Sequence, residues 1–411
     1  MARTIARTGF ALLAAAVLSG CWLQPGNDAE RSGFAPLESG ITAANVHQLQ
    51  FDWSRQFAAP TSAPAVTIDG VFVSSGVDPN AGTLHRLAPT DGATRWSTQE
   101  FAAGNPFFGA QQPTVTGGVV YVAQSGFSIV PGTIMRFNES TGAPLSALAG
   151  AGADLTQRGS LLVSTQSTGN SSMIGISRLI VTDLAGTASW NTYIAIASGH
   201  VPVSTSAAVS NNRIFLGNES NVLAYPIAKP AACPTTNGVE ICPPSWTYPA
   251  GSAVQFHPVV TSDHQTVIAP TQNSIVALDT ANGALRWTGT LTSKPSAAPA
   301  VAGGYVYVPT ISGQLAVFSA AGCGAPTCTP VWTAQTGSSI GQPPSITSGG
   351  LVYTGSDDGS IHAYSASGCG SPTCTSLWSV ATGSKITGGP VNALGRVFVG
   401  TADGRIIAYS L

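Results

Sequence analysis

Lysine is nearly missing from this chain of 411 residues, where only Lys229, Lys294 and Lys385 occur. Charged residues of all kinds make up 8%, and the formal net charge is -2. So weak a field offers nothing to a phosphate backbone, which excludes nucleic acid as a partner. The surface must instead be wetted by Ser, Thr, Asn, Gln and Gly, as suits a β-rich protein outside the cytoplasm. Catalytic groupings are scarce too. The six His residues (His47, His85, His200, His257, His264 and His362) share no short metal-like spacing, and no Cys-x-x-Cys-His haem site occurs. Asp69, Asp91, Asp357, Asp358 and Asp403 stand before or within Gly turns, where Asp serves the backbone. No catalytic residue and no metal ligand is assigned.

What is present begins with a leader. Arg3 and Arg7 form a positive start, and the apolar run from Phe10 to Leu18 is too short to span a bilayer. It ends Leu18-Ser19-Gly20-Cys21, which resembles the lipobox of bacterial lipoproteins. That resemblance implies removal of residues 1–20 as a signal peptide and acylation of Cys21. Loss of Arg3 and Arg7 would take the charge from -2 to -4. The stretch Trp22 to Glu38 is polar and Gly-rich, and residues 21–46 are expected to be a flexible tether and lead-in. Trp22 is odd in a tether, and two placements are open for it: packed on the folded domain, or at the membrane interface.

Six further cysteines come as three close pairs, Cys233 with Cys242, Cys323 with Cys328, and Cys369 with Cys374. An even count in an exported chain reads as disulfides.

Tryptophan sets the architecture. Apart from Trp22, the Trp residues fall at 53, 96, 190, 246, 287, 332 and 378, with gaps of 43, 94, 56, 41, 45 and 46. The gap of 94 is two repeats, with Leu145 where a Trp would stand. Each unit reads as a β-rich run, a two-residue turn such as Gly303-Gly304, a second run, a polar turn, a third run, and a last strand ending at Trp. Eight such units predict an all-β, eight-bladed β-propeller over residues 47–411, with four antiparallel strands per blade. The eighth unit stops after its third strand, Arg405 to Tyr409, and the chain start has a surplus one around Phe51. Pairing the two closes the ring and leaves neither as a bare edge.

Segments such as Asn273–Trp287 and Gly82–Trp96 resemble the repeats of the pyrroloquinoline-quinone (PQQ) propeller family, as does the lead-in Ile41 to Trp53. The resemblance spans roughly residues 22–411. The family includes quinoprotein dehydrogenases, sensors and non-catalytic scaffolds, so it implies the fold more than the activity. A dehydrogenase of this family would need PQQ, calcium, a carboxylate base and, as one grip on the quinone, adjacent disulfide-bonded cysteines. No Cys-Cys pair occurs, and no cofactor is assigned.

Registered on the repeat, each cysteine pair falls between third and fourth strands, where it would staple an enlarged hairpin at the rim and leave the sulfurs too dispersed for one zinc ion. Segments Gly76–Gly82, Gln124–Gly132, Ser164–Gly175 and Phe101–Gln112 are long and share one face, with Phe107, Phe108 and Phe127 among them. Long loops on a rigid scaffold are where binding is expected. The leading expectation is a non-catalytic binding or scaffolding lipoprotein of the bacterial cell envelope, held to the membrane by its lipid and serving a protein partner. The alternatives are a PQQ-dependent oxidoreductase acting on alcohols or sugars, and a polysaccharide-binding surface protein.

Overall fold

A computed structural model describes residues 20–76, 82–100, 111–124, 132–149, 155–168, 174–187, 189–198, 205–236 and 239–411. Eight four-stranded antiparallel sheets follow one another around a central axis: 65–99, 114–149, 156–198, 208–249, 259–290, 300–335, 345–381 and 386–410. The eighth takes its outer strand from the chain start. Gln50–Gln56 pairs antiparallel with Arg405–Ser410, setting Gln50 against Ser410 and Trp53 against Ala408. The closure expected around Phe51 is therefore present.

Antiparallel connection puts the first-to-second and third-to-fourth turns of every blade on one face, here the hairpin face. Second-to-third turns and inter-blade segments lie on the other, the loop face. Several hairpin-face turns use positive φ, as at Gly303 (57°) and Gly304 (80°). In the first blade the strands end at Thr67 and resume at Gly70, so Ile68 and Asp69 form the tip.

The core lies between blades. Ile268 and Ala277 of the fifth blade pack with Val306 and Phe318 of the sixth, while Val267 and Leu278, on the opposite face, pack with Phe215 and Ala224 of the fourth. Both faces of each sheet are covered, which is why the inner strands read as near-continuous apolar runs instead of alternating.

The repeated Trp docks its blade on the next, Trp332 by packing alone and the others with an indole hydrogen bond as well. Its indole Nε1–H donates to the carbonyl just past the neighbouring third strand: Trp53 to Pro89 (2.9 Å), Trp96 to Glu139 (3.1 Å), Trp190 to Ile227 (3.0 Å), Trp246 to Thr280 (3.1 Å) and Trp287 to Ala320 (3.3 Å). Trp378 donates to Leu49 (3.3 Å) across the closure. A turn glycine lies flat on the ring. At Gly92 a Cβ would meet Trp53 at 2.4 Å, and at Gly283 it would meet Trp246 at 2.6 Å. In the second blade Leu145 pairs with Arg136, as Trp96 pairs with Arg86. A register shift follows Leu145, leaving it exposed, and Leu148 packs beneath Gly186 in its stead.

All three expected disulfides form. Their hairpins also reach back to the preceding blade. Thr327–Cys328 adds a parallel fifth strand to the fifth blade, Thr373–Cys374 does so for the sixth, and Cys242 exchanges hydrogen bonds with Thr192 on the outer strand of the third. The staples thus cover sheet edges as well as stiffening the rim.

Candidate functional site

The axis of the ring is occupied by the protein's own chain. Residues 22–38, expected as a flexible tether, circle the channel and touch the blades in order. Trp22 exchanges backbone hydrogen bonds with Val66 of the first blade (2.9 and 2.7 Å), and Leu23 accepts from Val115 of the second (2.8 Å). The Gln24 amide bonds both backbone groups of Gln157 in the third. Ala29 accepts from Val209, Glu30 from Val260, Ser32 from Val301 and Gly33 from Ile346, one for each of the next four blades. The circuit ends on the eighth, where Gly395 N–H donates to the Glu38 carboxylate (2.9 Å) and Leu394 N–H to Gly20 (3.3 Å).

The physical reason is plain. The innermost strand of each blade is an edge whose N–H groups face the axis. The strap satisfies at least one N–H of every blade's inner strand or its turn, with three on the seventh, where Phe34–Ala35 pairs as a short parallel strand. Sharp bends make the circle possible, with positive φ at Gly26 (72°), Asn27 (69°), Arg31 (56°) and Gly33 (70°). Of the two placements open for Trp22, the structure selects packing on the domain: it is 3% exposed, among Val66, Val71 and Phe398.

Above this floor lies a cavity of about 160 Å³, lined by Trp22, Arg31, Gln112, His257, Gln342 and Thr387 together with Pro and Gly backbone. The Arg31 guanidinium is buried and bonds the Thr156 hydroxyl (3.0 Å) and the Ala207 carbonyl (2.7 Å). Burial, and then the charge of Arg31, push His257 down to about 3, so its imidazole is neutral. In the strap itself, burial raises Asp28 to about 6 although Ser32 donates to it from both backbone and hydroxyl.

A calcium-bound quinone does not fit these residues. Among the described residues no carboxylate lines the cavity, and no three His, Cys, Asp or Glu are grouped to hold a metal. Small-molecule sites commonly measure roughly 300–1,000 Å³.

The loop-face candidates Phe107, Phe108 and Phe127 lie outside the described residues. The strand ends that carry their segments are described, and beneath two of them sits a polar cluster that sequence reasoning missed. In the first blade, Ser75 Oγ bonds His85 Nε2 (2.8 Å), and His85 Nδ1 bonds Ser97 Oγ (2.7 Å). Phe57 stacks on the imidazole at 3.9 Å. Burial, then Arg55, push His85 down to about 4. Ser74 donates to the buried Glu100, whose carboxyl burial pushes up to about 8. Neutral His and protonated Glu make this a hydrogen-bonded cluster at the loop-face ends of the first blade's strands, around Ser75 and Glu100. Spacings of 10 and 12 residues carry no signal until strand register is known.

Cys21 lies where the strap begins. Its thiol takes a hydrogen bond from the Ile68 backbone, and burial raises its pKa.

The family model described as outer membrane protein assembly factor BamB matches residues 50–240, 236–322 and 321–411. No curated relative matches the sequence. Among solved structures, a europium-containing methanol dehydrogenase superposes with a TM-score of 0.70 at 14% identity, covering 98% of this chain and 100% of its own. Quinohemoprotein alcohol dehydrogenase from Comamonas testosteroni gives 0.68 at 13%, covering 98% and 82%. BamB from Moraxella catarrhalis gives 0.60 at 14%, covering 88% and 100%. Identities this low speak for the shared propeller alone, whereas the family model spans almost the whole ring. Matched by that model over almost the whole of its eight closed blades, the chain belongs to the family of PQQ-repeat propellers described as outer membrane protein assembly factor BamB.

Proposed function

We propose that the protein is a non-catalytic scaffold of the cell envelope, held at a membrane by a lipid on Cys21 and binding a protein partner through its loop face. The observation that carries this reading is the strap. Residues 22–38 fill one end of the axial channel with backbone and a buried Trp, and leave a cavity small for a cofactor. Three disulfides fit an oxidising compartment. The family description points to partners among proteins that assemble the outer membrane. Segments 76–82, 101–112 and 124–132 leave neighbouring blades on one face, and in this reading Phe107, Phe108 and Phe127 supply the apolar contacts. The expected third-blade loop at 164–175 is instead a long hairpin, paired as strand through Thr168 and again from Ile174.

The test is cross-linking and capture of the full chain from its native envelope, beside a Phe107→Ser, Phe108→Ser variant. Loss of the captured partner with an unchanged melting temperature supports the reading; undiminished capture rejects the loop face. Radiolabelled palmitate entering the wild type but not Cys21→Ser tests the anchor. The dehydrogenase-like fold favours a second reading, a PQQ-dependent oxidoreductase. Dye-linked alcohol or sugar oxidation by the chain incubated with PQQ and calcium would establish it and overturn the first.

A further inference from the structure

We infer that the hairpin face is a membrane-contact surface, laid directly on the bilayer with no slack between anchor and propeller. The inference rests on the reading of Cys21 as the lipid attachment point and adds what the chain after it does. From Trp22 onward the backbone is bonded into the first blade, so an acyl anchor on Cys21 has no linker. Its thiol lies against Ile68 at the hairpin-face tip of the first blade. Any chain attached there emerges beside Ile68, and the body must follow the anchor down to the headgroups.

The distribution of exposed apolar side chains points the same way. Ile68 is 57% exposed, and Leu37, next to the Glu38 that caps the eighth-blade turn, is 50% exposed. Phe51, Leu285, Val331 and Leu377 are exposed at the hairpin-face ends of the outer strands of four consecutive blades, the eighth, fifth, sixth and seventh. Among the described residues, Ile311 alone of the large exposed hydrophobics stands at a loop-face turn. The hairpin face also carries an apolar groove between the sixth and seventh blades, lined by Phe34, Tyr305, Tyr307 and Ile346. Amphipathic aromatics of this kind settle at headgroup level. Isolated surface hydrophobics need no explanation, but their concentration on the face that holds the anchor does. The loop face, with its long segments, then points away from the bilayer toward its partner.

The experiment uses the full chain purified from its native envelope and reconstituted in phosphatidylcholine vesicles. The other cysteines are disulfide-bonded, so Ile68→Cys and Ile311→Cys each offer one site for an environment-sensitive fluorophore. Both are exposed turn positions, on opposite faces. Nitroxide-labelled lipid should quench the probe at position 68 at least threefold more than the probe at 311. The mass of the N-terminal peptide, read on the same sample, separates the two ideas. An unmodified Cys21 overturns the anchor reading and this inference with it. An acylated Cys21 with equal quenching at both positions, or stronger quenching at 311, overturns the membrane face alone.

Discussion

Glu100 shows how one buried proton can be read as stability. The carboxyl accepts from the Ser74 hydroxyl within the first blade, its second oxygen is buried without a partner, and burial holds its pKa at about 8 against an ordinary 4.5. The folded chain therefore keeps a proton that the unfolded chain releases. The stability of the neutral form is complete below about 4.5 and is lost as pH rises through about 8. Glu100→Gln preserves shape and hydrogen bonding without titrating. Its stability should match the wild type below pH ~4.5 and exceed it increasingly as pH rises, by on the order of 4 kcal/mol at pH ~8. Parallel melting curves across pH would remove Glu100 from this role. His85 acts in the opposite sense. Held down to about 4 from 6.5, it contributes stability that is lost as pH falls through that interval.

At the scale of elements, the N-terminal strap carries the most informative difference between expectation and structure. Its composition of Gly, Asn, Ser and Pro describes side chains with little apolar area, which is true equally of a solvated linker and of a strap bonded through its backbone. Pairing by main-chain carbonyls leaves no trace in hydropathy. Trp22 was the one residue that argued against a linker, and its burial is what the structure supplies. The disulfides, by contrast, were legible because the repeat placed each pair in one hairpin, although their reach to the preceding blade depends on pairings such as Thr333 with Thr373 that no spacing reveals. Two glycines test the strap. At Gly33, with φ of 70°, a Cβ would approach Pro344 O at 2.8 Å and Ala300 Cβ at 2.9 Å; at Gly40 it would meet nothing within 4 Å. Gly33→Ala should cost about 1–3 kcal/mol in urea denaturation, and Gly40→Ala close to nothing. Equal effects would mean the circle of bonds adds no stability. Replacing Cys369 and Cys374 by Ser should cost about 2 kcal/mol and speed amide exchange along Trp332–Gln335, which the stapled hairpin covers.

For the whole molecule, closure makes eight weakly independent sheets into one cooperative unit. A single four-stranded blade has edges on both sides and a core that exists only against its neighbours, as the clusters joining fourth to fifth and fifth to sixth blades show. The count of blades and the closing strand were readable in the sequence because Trp spacing and the missing fourth strand of the last unit are properties of the repeat itself. The cavity was not, since it depends on where eight inner strands and the strap leave space. Among the interactions that seal the ring where the termini meet are the pairing of Gln50–Gln56 with Arg405–Ser410, the Arg396–Asp52 ion pair and the Trp378 bond to Leu49. Ending the chain after Gly404 removes one partner strand, strips Trp53 of its neighbours Ile406 and Ala408, and opens inner strands of two blades to water. Because each blade is buried only by the next, the loss should spread instead of staying local. The truncated chain is expected to lose its sharp thermal transition and to exchange amides rapidly in the fourth and fifth blades, on the far side of the ring, as well as in the first and eighth. Fast exchange confined to the first and eighth blades would show that the blades fold as separate units and that closure is a seam, not the source of cooperativity.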